Sequence, residues 1–135
     1  MKKGFTLVEL LAVIVILSAL AVLITPKIVK TLREAEDNVK KESANELLKA
    51  AEYKATNLDL TNSSDLIIDF TQKINVNKLE YIGEVPEKGK ITIMADGHVV
   101  MAVKLGDKCY KKEFDEKELS ILEYDEGTCI NEETE

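Results

Sequence analysis

These 135 residues contain no tryptophan, and their aromatic content is limited to three phenylalanines and four tyrosines. His98 is the only histidine, and Cys109 and Cys129 are the only thiols. A structural zinc site takes four nitrogen or sulfur ligands, and these two cysteines form no CxxC unit. The pair therefore reads as a disulfide, with two ordinary reduced cysteines as the open alternative. The disulfide reading requires a body outside the cytoplasm. Nucleophilic catalysis of the Ser-His-Asp or Cys-His kind would have to use His98, which stands beside a turn signal and reads as an exposed side chain. No glycine-rich phosphate loop and no aromatic-studded basic stripe occur. The chain does not read as an enzyme.

Positive charge is also in short supply. Lysine and arginine number 18 against 25 acidic residues, a formal net charge of −7. Without Lys2 and Lys3 the balance is 16 against 25, or −9. Affinity for nucleic acid rests mainly on lysine and arginine contacts to phosphate, so the body is not expected to bind nucleic acid directly. The acidic residues Asp107, Asp115, Glu116, Glu118, Asp125 and Glu126 invite the thought of calcium, which takes several oxygen ligands. No D-x-D-x-D-G loop arranges them, and they read as a solvated surface. No metal and no cofactor are expected.

Apolar residues are plentiful in one place. From Phe5 to Thr25 only Thr6, Glu9, Ser18 and Thr25 are not apolar. About 20 apolar residues at 1.5 Å each match a hydrocarbon core of about 30 Å. Lys2 and Lys3 precede the run, so the positive-inside bias puts the N-terminus in the cytoplasm. A secretory signal peptide would have a shorter apolar region and a small-residue cleavage site, and Thr25-Pro26 is a poor one. A plain signal anchor offers no reason for Glu9, because a carboxylate within a bilayer is expensive and usually marks pairing or function. The plainer alternative is that Glu9 sits near the interface, about 6 Å along a helix from Phe5.

The stretch KKGFTLVE, its apolar continuation and Pro26 closely resemble the class III signal of type IV pilins and pseudopilins. The resemblance covers residues 1–58 strongly and the rest in outline. It implies a cut by a prepilin peptidase between Gly4 and Phe5, N-methylation of Phe5, and a role for Glu9 in assembly. Glu9 of one subunit would neutralise the new amine of a neighbour and set the register between the two. Pairing of Glu9 with its own Phe5 amine, four residues away, is the competing reading for an isolated subunit. Pro26 falls where such proteins commonly carry a helix-kinking proline, and proline removes a backbone donor wherever it interrupts a helix.

Beyond Pro26 the residues Ile28, Leu32, Ala35, Val39, Leu47, Ala51, Ala55 and Leu58 recur at helical spacing, with charges on the other faces. Joined to the apolar run they predict one helix of some 54 residues, about 80 Å long. TNSSDL at 61–66 reads as a loop, with Ser63 or Ser64 capping a short helix or turn. Asn62-Ser63-Ser64 also matches a glycosylation sequon, a weak three-residue signal. Residues 75–90 read as irregular, with a short strand at Tyr81-Ile82.

From Lys90 the period changes to two. Asp96-Gly97 and Gly106-Asp107 separate alternating runs and predict antiparallel strands at 90–95, 98–105 and 109–114. Asp115 is a candidate cap for one turn, and Ile121–Tyr124 a candidate fourth strand. A Cys109–Cys129 bridge would staple the tail to the third strand. The resemblance to pilins implies the same, since many carry a C-terminal disulfide-bounded region.

The expected fold is α+β and pilin-like: a long N-terminal helix, membrane-spanning in its first half and amphipathic in its second, packed on a small antiparallel sheet of three to four strands. The expected organisation is a leader at 1–4, an assembly segment at 5–25, an amphipathic segment at 26–58 and a head at 59–135. The resemblance implies a filament subunit of a type IV pilus, lodged in the cell membrane before assembly and extracellular afterwards. Its implied partners are copies of itself, the prepilin peptidase and N-methyltransferase, a membrane platform with its assembly ATPase, and minor pilins. Two alternatives remain open at this point. One is a pseudopilin of a secretion or DNA-uptake system, and the other is a monomeric membrane-anchored binding or sensor domain.

Overall fold

The computed structural model describes residues 4–57 and 64–129. Lys2, Lys3, Leu58, Asn62 and Ser63, for which the sequence raises expectations, lie outside the described residues. Helix α1 runs over Leu7–Asn57, followed by strands β1 (Leu66–Asp69), β2 (Lys88–Ile93), β3 (Val99–Leu105), β4 (Lys108–Lys112) and β5 (Ser120–Glu123). A short 3-10 turn (Val76–Lys78) lies between β1 and β2, and a single-turn helix α2 (Glu126–Cys129) follows β5. The chain divides into two compact units, Met1–Asp37 and Asn38–Glu135. The division falls inside α1.

In the second unit the sheet is a simple meander in the order β1-β2-β3-β4-β5, and every neighbouring pair is antiparallel. Burial on β3 alternates strictly, which is the two-residue period made visible: Val99, Met101, Val103 and Leu105 are buried and the residues between them are not. Ile91 opposite Met101 and Ile93 opposite Val99 continue the same face on β2. This inner face packs on one stripe of α1, formed by Ala44, Leu47, Leu48, Ala51 and Ala55. Small alanines let the helix approach, while Leu47 and Leu48 supply apolar area worth about 1.5–3 kcal/mol per fully buried side chain. Lys112 Nζ at the end of β4 meets Glu52 Oε1 on α1 at 2.9 Å. Ser43 Oγ accepts the Glu84 N–H at 3.0 Å.

Several expectations need correction. The sheet has five strands rather than three or four, because Leu66–Asp69, where the end of a loop and then a short helix or turn were expected, pairs with β2 through Ile68 opposite Ile91. Four residues are too few to display alternation, and the pairing partner decides. Tyr81-Ile82 is not a strand, and Ile82 is 87% exposed. The next residue, Gly83, lies against Ser43, where a Cβ would stand 2.8 Å from the serine Cβ. The third predicted strand stops at Lys112, because Glu113–Glu116 form a turn closed by the Glu116 N–H and the Glu113 carbonyl at 3.2 Å. Asp115 sits in that turn rather than capping a helix. Of the helical stripe, Leu47, Ala51 and Ala55 are buried while Ile28, Leu32 and Val39 are exposed.

Gly89 on β2 is required by close approach. Its φ of +125° lies in a region that side chains rarely adopt, and a Cβ there would collide with the carbonyl of Ala102 and lie 2.6 Å from Val103 Cα. The neighbouring strand therefore accepts only hydrogen at this position.

Candidate functional site: the N-terminal segment

Helix α1 begins where a threonine and a glutamate are three residues apart ahead of an apolar run. The Thr6 N–H donates to Glu9 Oε2 at 2.9 Å, and the Thr6 hydroxyl donates to the same oxygen at 3.0 Å. The Glu9 N–H reaches the Thr6 hydroxyl oxygen at 3.3 Å. This is a capping box, which satisfies donors that a helix N-terminus otherwise leaves open. Thr6 thus has a local role that the sequence reading passed over, although T-x-x-E before an apolar run is the signal for it. In the uncut chain the Phe5 nitrogen is an amide, and the carboxylate of Glu9 is engaged by Thr6.

Gly4 is exposed and has open space around it, with no atom within 4 Å of a Cβ built there. Phe5 is 86% exposed. Every large apolar side chain from Phe5 to Ile24 stands exposed. The helix is long and apolar enough to cross a membrane by length and composition. Its polar side chains below Glu9 turn inward on the backbone: the Ser18 hydroxyl donates to the Ile14 carbonyl at 2.7 Å, and that of Thr25 to the Ala21 carbonyl at 2.7 Å. Both hydroxyl protons are thereby satisfied without a partner from elsewhere, as an apolar surrounding demands. Pro26 lies within α1, which continues through it. Proline has no N–H, so the carbonyl four residues earlier, that of Val22, loses its regular donor.

In the other unit Cys109 and Cys129 form a disulfide with a Cα–Cα distance of 5.7 Å, and both cysteines are buried. The bridge ties α2 to β4. His98 is exposed and lies 3.1 Å from Asp96 through Nδ1, with its ring stacked on Phe114. The His98 backbone N–H, donated to Asp96 Oδ1 at 3.0 Å, is the main cause holding the Asp96 carboxyl below its ordinary range. Asp107, Asp115, Glu116, Glu118 and Asp125 remain distributed along the surface, and among the described residues no three His, Cys, Asp or Glu side chains gather to hold a metal. The site residues therefore form no single pocket. Gly4, Phe5, Thr6 and Glu9 share one helix start, and the cysteines do separate, structural work.

Residues 1–25 match the family described as the prokaryotic N-terminal methylation motif, the class III signal of type IV pilins and pseudopilins. No curated protein and no solved structure matches the chain. The motif supports a type IV pilin-like or pseudopilin protein processed by a prepilin peptidase, and points to a structural rather than an enzymatic role.

Proposed function

We propose that the chain is a body-type subunit of a type IV pilus. In this reading prepilin peptidase cuts between Gly4 and Phe5, Phe5 is N-methylated, and the subunits polymerise through residues 5–25. The single observation that carries it is the methylation motif at residues 1–25, seated on a helix start whose large apolar side chains from Phe5 to Ile24 are all exposed. Exposed apolar surface of this extent marks an interaction or membrane site. The membrane covers it first, with Lys2 and Lys3 holding the N-terminus in the cytoplasm, and neighbouring helices cover it after assembly.

Cleavage converts the Phe5 amide into an amine at the positive end of the α1 dipole. Glu9 then has a charged donor to prefer over the neutral ones of Thr6, because charge-assisted hydrogen bonds are roughly twice as strong. When that donor belongs to a neighbour, the contact fixes the stagger between two subunits. An ion pair in an apolar setting contributes register more than stability. Pro26 bends the helix beyond the membrane segment, and residues 59–135 form the exposed head. The Cys109–Cys129 bridge supports a head outside the cytoplasm, where disulfides persist. A platform with its ATPase and a set of minor pilins complete the machinery. A pseudopilin carries the same motif and would form a short fibre. Glu9 favours a subunit of the filament body, since some tip-type subunits lack this glutamate.

Mass spectrometry of the mature protein tests the processing. The expected N-terminus is Phe5 bearing one methyl group, and an intact Met1 or a cut elsewhere would sink the proposal. Glu9→Gln is expected to abolish filaments while cleavage proceeds and the head melts as before. Normal filaments from this variant would remove Glu9 from the mechanism.

A further inference from the structure

The Asn38–Glu135 unit carries a groove at one end of its sheet and a knob at the other. The groove, about 490 Å³, is lined by Phe70, Lys73, Val76, Val85, Pro86 and Glu87 among others. Its apolar floor is of a size to hold a large side chain. One wall is held rigidly. Asp69 and Ile74 exchange backbone hydrogen bonds at 2.9 and 3.0 Å, and Asp69 Oδ1 accepts the N–H groups of Thr71 at 2.8 Å and Gln72 at 3.1 Å. Lys73 and Asn75 adopt left-handed φ values of 56° and 58°, which cost free energy for residues other than glycine and persist only where the surroundings hold them. At the rim, Glu87 is paired with Lys104 at 2.8 Å, whereas Lys73 has no carboxylate partner among the described residues. The groove therefore presents apolar walls and one uncompensated cation.

The knob is the turn Glu113–Glu116. Phe114 and Asp115 occupy its two central positions, and both are exposed. The Phe114 ring, 49% exposed, is held by stacking on His98 at 4.3 Å between centroids. Asp115 has no ion-pair partner among the described residues. The knob thus offers an aromatic ring beside an uncompensated carboxylate, which complements the groove in both respects. The two lie at opposite ends of β3: Glu87 donates its N–H to the Lys104 carbonyl at 3.0 Å, and His98 precedes Val99. Five residues of strand separate them by roughly 17 Å. A contact between two such different surfaces is heterologous, and heterologous contacts that do not close into a ring propagate as helical filaments.

We propose that the Phe114–Asp115 knob of one copy seats in the Phe70/Val76/Val85/Pro86 groove of a second copy, with Asp115 facing Lys73, as a head-to-tail contact along the fibre. The contact rests on the filament reading above. Burial of one aromatic side chain, 150–250 Å² in typical cases, is its main attraction, and the Lys73–Asp115 pair sets its polarity.

Paired cysteines in the full chain test it. Val85→Cys with Glu116→Cys, which keeps the Phe114 ring and the Lys73–Asp115 pair, is expected in every copy to give, on non-reducing gels of sheared filaments, a ladder of three or more copies, and each single variant no ladder. Lys73→Glu or Asp115→Lys alone, in the double-cysteine background, is expected to lower ladder yield about two- to five-fold, the range of an exposed ion pair, and the two together to restore it. Filaments without a ladder would overturn the contact and leave the filament reading standing. Dimers alone would also overturn it, because a two-fold contact does not propagate. A crosslink from Val85→Cys to a different protein would assign the groove to that partner instead. Cells with neither filaments nor a Phe5 N-terminus would overturn the filament reading, and the contact with it.

Discussion

Residues 4–37 and residues 38–129 put apolar side chains to opposite uses. In the first stretch Phe5, Leu7, Leu17, Leu23 and Ile24 are all exposed, and the helix holds itself together through its own backbone, a capping box and three hydroxyls bonded back to carbonyls. In the second, Leu47, Ile91, Met101 and Val103 are fully enclosed within the unit, and polar contacts such as Lys112–Glu52 sit at the margin. The same helix passes through both regimes. A leucine at position 17 and a leucine at position 47 have the same chemistry, and they differ in whether the folded unit supplies the surface that covers them. An apolar helix face that the described residues leave open is surface of the kind that marks an interaction or membrane site, which is why the first stretch is proposed as the assembly segment.

Substitutions can break this contrast, and the largest effect is expected at Gly89. Gly89→Ala places a Cβ against the Ala102–Val103 backbone, and a loss of about 4 kcal/mol or more is expected, from a collision that neither strand can relieve by a rotamer change. Thermal melting of the full chain in detergent, followed by the sheet signal, measures it; a wild-type melting curve would mean that β2 and β3 separate at little cost.

Paired leucine truncations sharpen the comparison directly. Leu47→Ala should cost about 2–5 kcal/mol, since it leaves a cavity between α1 and the sheet. In a unit of under a hundred residues each kcal/mol lowers the melting temperature by about 4–8 °C. Leu17→Ala should leave the same melting curve unchanged and reduce filament yield instead. Equal effects of the two on melting would erase the distinction between the regions.

The disulfide comes next. Closing a loop with a sequence separation of 20 between Cys109 and Cys129 implies roughly 3 kcal/mol in the chain-entropy picture. The double variant Cys109→Ser/Cys129→Ser should lower head stability by about that amount, and reductant should destabilise the wild type but not the variant.

Acid should have the smallest effect. The Glu87 carboxyl is held below its ordinary range, first by its hydrogen bond from the Lys104 ammonium. A depressed folded-state pKa contributes stability that is present above the ordinary carboxylate range and is lost as pH falls through the folded value. Both groups are reached by solvent, so the contribution is expected to stay under about 1 kcal/mol. Melting temperatures of wild type and Glu87→Gln should differ slightly near neutral pH and converge in acid; a gap that widens on acidification would contradict the pairing.

The legible parts of the fold are those with local signals. Asp96-Gly97 and Gly106-Asp107 announce two hairpins because a tight turn between alternating runs has few other solutions. The alternation from Ile91 to Leu105 announces which face is inward. The methylation motif, Glu9 and the apolar run are likewise local. Two features escaped because their causes are not local. Strand β1 depends on β2 being present to pair with Leu66–Asp69. The loop at Tyr81–Gly83 depends on Ser43 occupying the space beside Gly83, forty residues away along the chain. The Thr6 cap is different, being local: T-x-x-E ahead of the apolar run carries it.

The sequence by itself determined the periods: an apolar stretch too long for a core helix, a helical stripe after it, and a two-residue alternation near the end. Those follow from backbone geometry, in which 3.6 and 2 residues per repeat set which side chains share a face. Only the tertiary structure decided how far the stripe is used. Helix burial starts at Ser43, while Ile28, Leu32 and Val39 of the same pattern stay exposed. Periodicity says which side chains face the same way, and burial requires a surface to face them, which five paired strands supply to one part of the helix and the unit of residues 4–37 does not contain.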